Sequence, residues 1–391
     1  MTNTQSSHSA VTSLEAVLPS NNIRVPNLNS DPELTATIAN GMYQTDGNLT
    51  TPSEVAGVAE IIIFSAIFFV VGLVGIVGNL LVVYVVVCDK KMRSSITNLL
   101  ISNLALADLI IMLLGVPEIV QFMMNKGWVL SWLLCKTNRF VMVVALYASV
   151  MTLVSICVER YIGIVHPIRA HLLCSRARVA RAVSVIWPLA LVAGTPTLLF
   201  NEMQNSHTDV KVKFCHLHFP HKPLTYYLMF KYTELAVFYV LPLLIQVVLY
   251  TQVSRQLFHG SSKLRRESAS DALQARRGVL KMLMLSVLVY LLSYSPLHGL
   301  LVYTTFWPDQ FHSTWTLNVL GCVLAYMNSA ANPVLYSIFS QNFRLSFRAV
   351  LCRLPRQPAL ARCQFYRKAT FSTSGKFPRA ASLNHSGQSE L

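Results

Sequence analysis

The stretch between Arg139 and Glu159 constrains this chain most strongly, because residues 140–158 contain no charged side chain. Cys135 precedes Arg160 by 25 positions, and a continuous helix with about 1.5 Å of rise per residue would separate the two by roughly 37 Å. The hydrocarbon core of a bilayer is about 30 Å thick. The stretch therefore predicts a spanning helix with Cys135 at one membrane face and Arg160 at the other. The alternative, a buried helix of a soluble protein, fits the unbroken apolar run poorly.

The composition extends this prediction to the whole chain. Of 391 residues, 53% are hydrophobic and 13% charged, whereas soluble domains carry about 25% charged residues; the mean hydropathy is +0.47. Apolar segments of spanning length recur along the chain; besides the one just described, they cover residues 58–87, 97–122, 179–200, 226–257, 277–305 and 314–339. The predicted fold class is an all-α membrane protein, a seven-transmembrane helix bundle with a short amphipathic eighth helix.

The positive charge of the chain predicts its orientation. The loops and tail on the Arg160 side hold 24 of the 32 Lys and Arg residues, and cytoplasmic loops are enriched in these residues. The N-terminus is therefore predicted to be extracellular and the C-terminal tail cytoplasmic, in a multi-pass protein of the plasma membrane. We interpret the net charge of +15 as a result of the membrane orientation and as a positive surface that can bind anionic lipids or an acidic partner. No nucleic-acid partner is therefore expected.

Four regions follow from this pattern. The N-terminal region is polar and carries one glycosylation acceptor, Asn48, in an Asn-Leu-Thr sequence; both termini have the composition of disordered segments. The predicted regions are an extracellular disordered tail at 1–56, the seven-transmembrane bundle at 57–340, an amphipathic membrane-surface helix at 341–353 and a cytoplasmic disordered tail at 354–391.

The segment after the seventh apolar stretch has the pattern of a helix lying on a membrane. Phe343 and Phe347 fall on one face of a helix, and arginines fall on the opposite face. Such a helix buries its apolar face among the lipids and keeps its charges in water. Cys352 at its end is placed for palmitoylation.

Separate marks on successive spans together resemble a known family. They are Gly78-Asn79, Leu106-Ala107-Asp108, Cys135 with Glu159-Arg160-Tyr161, Trp187, Pro242 with Tyr250, Pro296, and Asn332-Pro333-x-x-Tyr336. Over residues 57–353 the chain resembles the rhodopsin-like (class A) G-protein-coupled receptors. The resemblance implies a receptor rather than an enzyme, with heterotrimeric G proteins and arrestin as cytoplasmic partners.

Arg160 and Glu159 have a physical interpretation of their own. An ion pair between them would keep a guanidinium tolerable in a low-dielectric setting until a partner competes for it. The resemblance implies that Arg160 is then released to the G protein. The residues it assigns to coupling and activation are Glu159, Arg160, Tyr161, Tyr250, Tyr294, Pro296, Asn332, Pro333 and Tyr336.

Two departures from the family pattern bear on activation. The usual acid at the cytoplasmic start of the sixth helix is absent, since Arg276 and Arg277 occupy that region, so appreciable basal signalling is expected. The usual tryptophan of the sixth helix is Tyr294, which puts the family's detailed trigger in doubt and leaves the Pro296 kink.

Asp108 lies in the middle of a span, where a charge costs about 2.5 to 3.5 kcal/mol on insertion scales. It therefore needs polar neighbours, and Asn79 is one candidate. The resemblance implies an allosteric Na⁺ held by Asp108, Ser149, Asn328, Ser329 and Asn332, with no other cofactor required. A hydrated polar network without an ion remains the alternative.

Cys135 and Cys215 are the only cysteines on the predicted extracellular side. Because that side is oxidising, a disulfide between them is expected. The chain has eight cysteines and none in a C-x-x-C spacing, which argues against a zinc or thiol-redox site.

The resemblance also excludes two classes of ligand. Amine receptors have an Asp where this chain has Met142, and visual pigments have a Lys where it has Tyr326. The predicted extracellular opening of the bundle carries residues of both charges, which suits a peptide ligand. The chain looks like the ghrelin, neuromedin and thyrotropin-releasing-hormone receptors. A lipid or other non-peptide ligand, and more remotely a seven-helix transporter or pump, are the alternatives. Predicted ligand-binding residues are Glu118, Gln121, Arg139, Met142, Glu234, Tyr294, His298, Asn318 and Tyr326.

The extracellular acids predict the charge of the ligand. Glu118 has no Lys or Arg close by on its own helix, whereas Glu234 has Lys231 beside it and an intrahelical ion pair as its alternative. We therefore expect a peptide with a positively charged group, anchored chiefly on Glu118. At the other end of the chain, Ser389-Glu390-Leu391 resembles a PDZ-domain ligand, and Ser268 and Ser382 fit basophilic kinase sites.

Overall fold

The computed structural model describes residues 57–123, 128, 130–168, 170, 175–205, 213–259, 267–307 and 314–352. The predictions for the two tails, including Asn48 and the C-terminal PDZ-like residues, lie outside these ranges. The side chains of Gln121 and of residues 258–276, Ser268 among them, also lie outside the description.

Long helices account for nearly all of the described chain. In chain order the elements are α1 (Val58–Cys88), α2 (Lys90–Ser94), α3 (Ile96–Met123), α4 (Trp132–Val165), α5 (Arg176–Phe200), β1 (Asn201–Asn205), β2 (Lys213–Leu217), α6 (Pro223–Leu235), a π-helical segment (Ala236–Val240), α7 (Leu241–His259), α8 (Glu267–Phe306), α9 (Trp315–Phe339) and α10 (Gln341–Leu351). The first to seventh spans are α1, α3, α4, α5, the continuous α6–π–α7 helix, α8 and α9.

The first six spans are long and apolar enough to cross a membrane. The seventh span carries buried asparagines at 318, 328 and 332 and packs against the first, second and sixth spans. The third span contacts the second, fourth and fifth spans, so it runs through the centre of the bundle. Residues that face lipid in this arrangement, such as Val192 and Phe69, are exposed and apolar.

Short-range chemistry sets several helix ends. The hydroxyls of Ser131, Ser175 and Thr314 each accept a hydrogen bond from the backbone N–H three residues later, which is the usual N-cap interaction. Pro296 and Pro333 lie inside helices, where a missing N–H is tolerated because neighbouring helices and side chains serve the freed carbonyls.

The structure contains one element that the prediction did not include. The loop between the fourth and fifth spans contains an antiparallel hairpin of β1 and β2, in which Met203 pairs with Cys215 and Glu202 with His216. Pairing satisfies backbone groups that would otherwise be left without partners in a loop folded over the bundle.

The sixth span also differs from its predicted bounds. It begins at Glu267, ten residues before the predicted start, because the added residues include the good helix formers alanine, leucine, glutamine and arginine. At the same end of the bundle, the predicted helix after the seventh span is present as α10, with Phe343 and Phe347 buried. Its position on a membrane surface stays a prediction.

Candidate functional site

Arg160 lies at one end of the third span, where its side chain is held in a polar clamp. Arg160 Nε lies 2.6 Å from Glu159 Oε2, and Nη2 donates to Glu159 Oε1 at 2.6 Å. Thr97 of the second span accepts a hydrogen bond from Arg160 and donates one to Glu159 Oε2 at 3.1 Å. The predicted local ion pair is present, and Thr97 is a third member that sequence reasoning missed.

Two tyrosines predicted to act in activation lie in the buried core near this clamp. Tyr250 is 5% exposed and Tyr336 1%, and the Tyr336 ring stacks on Phe343 of α10 with 5.4 Å between centroids. Neither hydroxyl hydrogen-bonds to Arg160 in this arrangement. The third predicted tyrosine, Tyr161, contacts His166, with 3.3 Å between its hydroxyl and Nε2.

Asp108 lies at the centre of the bundle with no exposure to solvent. Its Oδ1 accepts hydrogen bonds from Ser149 Oγ at 3.3 Å and Ser329 Oγ at 3.0 Å, and its Oδ2 accepts one from Asn332 Nδ2 at 2.7 Å. Asn328 is buried next to Ser329 and does not hydrogen-bond to the carboxylate. The structure therefore brings three of the five candidate partners onto Asp108.

Neighbouring amides tie the spans around this centre together. Asn79 is fully buried and donates to the carbonyl oxygens of Gly75 and Ser329 at 2.9 and 3.1 Å, rather than to Asp108. Asn103 accepts from Trp187 Nε1 at 3.0 Å and donates to Thr152 Oγ1 at 2.8 Å. Trp187 thus joins the second, third and fourth spans through Asn103, a residue the sequence analysis did not single out.

The half of the bundle on the side of Cys135 and the β1–β2 hairpin is called the outer half. It contains an ion pair between Glu118 and Arg139. Arg139 Nη2 lies 2.5 Å from Glu118 Oε1, so the acid without a cation on its own helix finds one on the third span. The sequence analysis considered cations on the helix of Glu118 only and did not predict this pairing with Arg139. The second carboxylate oxygen, Oε2, is buried and accepts no hydrogen bond from a described residue.

A second ion pair lies on the fifth span. Lys231 Nζ contacts Glu234 Oε2 at 2.8 Å, which is the intrahelical alternative weighed for Glu234. The other oxygen, Oε1, accepts a hydrogen bond from Tyr147 of the third span at 3.0 Å. Both carboxylate oxygens of Glu234 therefore have a partner within the protein.

The remaining predicted ligand residues are spread over the same half of the bundle. Tyr294 and His298 belong to an aromatic group with Tyr239 and Tyr290, with 4.4 Å between the Tyr239 and His298 centroids. Tyr326 is buried against Phe68, Asn318 is 9% exposed, and Met142 packs in the cluster that contains Tyr326.

A disulfide joins Cys135 to Cys215, as predicted, with 5.8 Å between the Cα atoms. It fixes β2 to the outer end of the third span, and Trp128 packs beside both sulfurs. His216 follows Cys215 and is partly buried, and burial lowers the pKa of its imidazole. The hairpin consequently forms a fixed rim for the outer half of the bundle.

A seven-helix membrane bundle with a clamped arginine at one end and a disulfide-fixed rim at the other defines a transmembrane receptor. Residues 78–336 match the family described as 7 transmembrane receptor (rhodopsin family). The chain belongs to this family, which confirms the resemblance drawn from its motifs.

Curated relatives cover most of the chain. It is 33% identical to neuropeptide receptor 15 of Caenorhabditis elegans over 73% of this chain and 88% of that protein. It is 30% identical to galanin receptor 2a of Danio rerio, over 74% and 78% of the two chains. Its identity to the thyrotropin-releasing hormone receptor of Gallus gallus is 30%, over 79% and 83%.

Proposed function

We propose that this protein is a plasma-membrane receptor for an extracellular peptide and that it activates heterotrimeric G proteins from its cytoplasmic face. The observation that carries the proposal is the clamp on Arg160. A guanidinium held by one acid and one hydroxyl at a membrane edge keeps its charge satisfied while remaining available to a competing partner. A G protein that supplies acceptors to Arg160 would stabilise the conformation in which the clamp is open.

The peptide part of this proposal is supported by the relatives and by the outer half of the bundle. The relatives are named as receptors for neuropeptides, galanin and thyrotropin-releasing hormone. The outer half of the bundle carries two separate ion pairs, at Glu118 and at Glu234. A peptide backbone can donate a hydrogen bond to the buried Glu118 Oε2, which accepts none from a described residue, whereas a lipid tail would leave that oxygen without a donor.

Glu118 remains the proposed anchor, with a modified role. Because Arg139 compensates its charge, a ligand cation is not the only group it can accept. Its buried Oε2 has no donor among the described residues, so the peptide supplies an N–H donor there, from an amine, a guanidinium or an amide. A charge-assisted hydrogen bond of this kind contributes about 1.5 to 3 kcal/mol.

The Glu118→Gln variant should raise the peptide concentration for half-maximal response by roughly ten-fold or more. The amide keeps the size of the side chain but loses the charge that strengthens the bond to the ligand. Potency is measured in cells with surface receptor quantified in parallel. Glu202→Gln, at an exposed acid of the hairpin, is the matched control and should leave potency unchanged. Wild-type potency in Glu118→Gln would reject the anchor.

We also propose that the Asp108 cluster binds Na⁺. The residues fit a hard cation, because Asp108, Ser149 and Ser329 offer oxygen atoms and the three groups that hydrogen-bond to the carboxylate are all neutral. A buried carboxylate with neutral partners favours a cation nearby. These residues would hold the ion, which would supply the missing positive charge.

Sodium should raise the melting temperature of the purified receptor by several degrees over choline chloride at equal ionic strength. Free Na⁺ at roughly 5 to 100 times its Kd would stabilise the folded state by about 1 to 3 kcal/mol. Asp108→Asn should erase the difference, because the ion loses its charged ligand. Asp89→Asn, at a carboxylate that caps α2, should retain it. A sodium effect that survives in Asp108→Asn would contradict the site.

Several further features belong to the same proposal. The excess of Lys and Arg on the Arg160 side supports an extracellular N-terminus and contact with anionic lipids. Glycosylation of Asn48, palmitoylation of Cys352, arrestin recruitment to phosphorylated Ser268 or Ser382 and binding of a PDZ-domain protein to the C-terminus remain predictions from the sequence. Exposure of Cys352 at the end of α10 supports the palmitate.

The coupling half of the proposal is tested by nucleotide exchange. Receptor in lipid nanodiscs is mixed with purified heterotrimers of each G-protein class, and GTPγS uptake is compared with that of empty nanodiscs. At least one class should exchange faster with receptor present, because basal signalling is expected. Exchange equal to that of empty nanodiscs for every class, with and without a peptide library, would refute coupling.

A further inference from the structure

The fifth span buries an amide that has no hydrogen-bond partner. The side chain of Gln246, in α7, is 0% exposed, and neither its Nε2 nor its Oε1 forms a hydrogen bond within the part of the chain that the structure describes. Such an amide offers two donors and an acceptor oxygen. Leaving these groups unpaired in apolar surroundings costs free energy, a cost that an apolar side chain of similar size avoids.

The packing around Gln246 leaves no room for a water molecule to serve the amide. Neither amide atom has appreciable surface that water can reach, and a water held in an internal cavity would need to touch such surface. Leu243, three residues earlier, belongs to an apolar cluster with Tyr290. Tyr250, four residues later, belongs to another cluster with Leu283. Gln246 lies between these clusters along the helix, so its amide is dry as well as unpaired in this arrangement.

The amide also lies far from bulk water along its helix. Arg255 is an exposed residue nearer the end of α7, and the nine positions that separate it from Gln246 correspond to about 13 Å of helix rise. Each half of the hydrocarbon core is about 15 Å thick, and lipid offers no hydrogen-bonding groups at that depth. Fraying at the helix end therefore does not hydrate Gln246, and a separation of the spans that cover it is needed.

The sixth span is the neighbour of α7 that is freer to move. α7 packs against the third span and the sixth span. The third span also contacts the second and fourth spans, whereas the sixth span packs chiefly against α7 and the seventh span. Pro296 lies inside the sixth span, and helices bend sharply at proline. A gap that admits water to Gln246 from the Arg160 side therefore forms between α7 and the sixth span.

We infer that Gln246 lowers the free energy of opening between α7 and the sixth span, because its amide is unpaired while the two spans are packed together and becomes hydrated when they separate. A group that is better satisfied in one of two conformations shifts the population toward that conformation. The inference rests on the proposed receptor function, since the G protein is proposed to bind at this end of the bundle. It assigns part of the expected basal signalling to one buried amide.

Gln246→Met tests the inference, because methionine is an unbranched side chain of similar length that needs no hydrogen-bond partner. Hydrogen–deuterium exchange of ligand-free receptor in nanodiscs reports rare openings of the spans. In the variant, backbone amides of residues 241–257 and 280–295 should exchange roughly five-fold or more slowly than in wild type, the change expected when opening no longer supplies partners to a buried amide. Exchange in α5, the fourth span, should stay unchanged.

Gln252→Met is the matched control. Gln252 is an exposed glutamine of the same helix, so its replacement makes the same chemical change without removing a buried amide, and its deuterium exchange should match that of wild type. Gln246→Leu repeats the test with a second apolar side chain and serves if Gln246→Met does not reach the membrane. The melting temperature of purified Gln246→Met receptor should rise by at least about 2 °C, because the packed conformation loses an unpaired polar group.

Two results would overturn the inference without any G protein. A lower melting temperature, or unchanged deuterium exchange at residues 241–257 in both apolar variants, would mean that the amide has a partner in the packed conformation. Exchange slowed to the same extent in α5 would mean that the amide destabilises the whole fold rather than the contact between α7 and the sixth span.

Basal GTPγS exchange separates this inference from the proposed coupling. With a G protein that responds to wild type, Gln246→Met should lower basal exchange per receptor by roughly five-fold or more. Unchanged basal exchange would show that the amide costs the same in both conformations, and the inference would fail alone. If deuterium exchange changes as expected while no G protein responds to either receptor, the role of Gln246 in the opening stands and the coupling proposal fails.

Discussion

Arg160→Ala is expected to remove most G-protein activation while leaving surface level and peptide binding near wild type. Arg160 lies at the end of the third span that is predicted to be cytoplasmic, and its side-chain hydrogen bonds with the described residues go to Glu159 and Thr97. The substitution deletes the group proposed to meet the G protein and leaves the outer half of the bundle intact. We expect GTPγS exchange in nanodiscs to fall by at least ten-fold, to near the level of empty nanodiscs.

Arg93→Ala is the control for this loss. Arg93 is another arginine on the same side of the membrane, in α2, where it is exposed and donates to the Val87 carbonyl. Its removal takes away a cytoplasmic charge without touching the clamp, so exchange should stay within about two-fold of wild type. Normal exchange from well-expressed Arg160→Ala receptor would contradict the role given to Arg160.

Loss of the Cys135–Cys215 disulfide should have the largest effect on folding. The bond closes a segment with a sequence separation of 80, and removal of a native disulfide from a small secreted domain typically costs about 2 to 5 kcal/mol. Cys135→Ala and Cys215→Ala should each reduce surface receptor severely. The double variant should be no worse than either single variant, because both changes remove the same bond.

Cys322→Ala provides the comparison. Cys322 is a free cysteine of the seventh span, so its replacement tests whether loss of a cysteine side chain matters in itself, and surface receptor should remain near wild type. Antibody labelling of intact cells measures the effect. Additive losses in the double variant would show that each cysteine acts separately from the bond.

The sequence predicted what depends on apolarity, local spacing and compartment. Seven spans follow from seven long apolar segments, and the Glu159–Arg160 pair follows because adjacent side chains can meet whatever the rest of the bundle does. The cysteine pair followed from the orientation, since only Cys135 and Cys215 fall on the oxidising side.

Contacts between helices were harder to predict. Glu118 and Arg139 are on different spans, and whether they meet depends on how the second and third spans rotate about their own axes. The contact between Thr97 and Arg160 likewise depends on how the second and third spans pack. In the sequence, Thr97 is only a common type of residue near the start of a helix. Asn79 was correctly expected inside the bundle, yet its partners are the carbonyls of Gly75 and Ser329.

The hairpin and the π-helical segment left weaker signals. Residues 210–214 do alternate between apolar and polar side chains, as a half-buried strand does, but residues 201–205 are polar apart from Met203. The first strand therefore left no such signal, and the hairpin was not recognised. The π-helical segment is a single turn within an otherwise regular helix, and a pattern of apolar residues does not reveal one extra residue.

Activation of the purified receptor by peptides, compared with lipids, tests the central claim most directly. Wild-type receptor in nanodiscs and a responsive G protein are exposed in parallel to a peptide library and a lipid library, with Arg160→Ala receptor as the blank. The account predicts that at least one peptide raises GTPγS exchange saturably in wild type and not in Arg160→Ala. Digesting that peptide with a protease before it is added should abolish the response. Saturable activation by a lipid and by no peptide would contradict it.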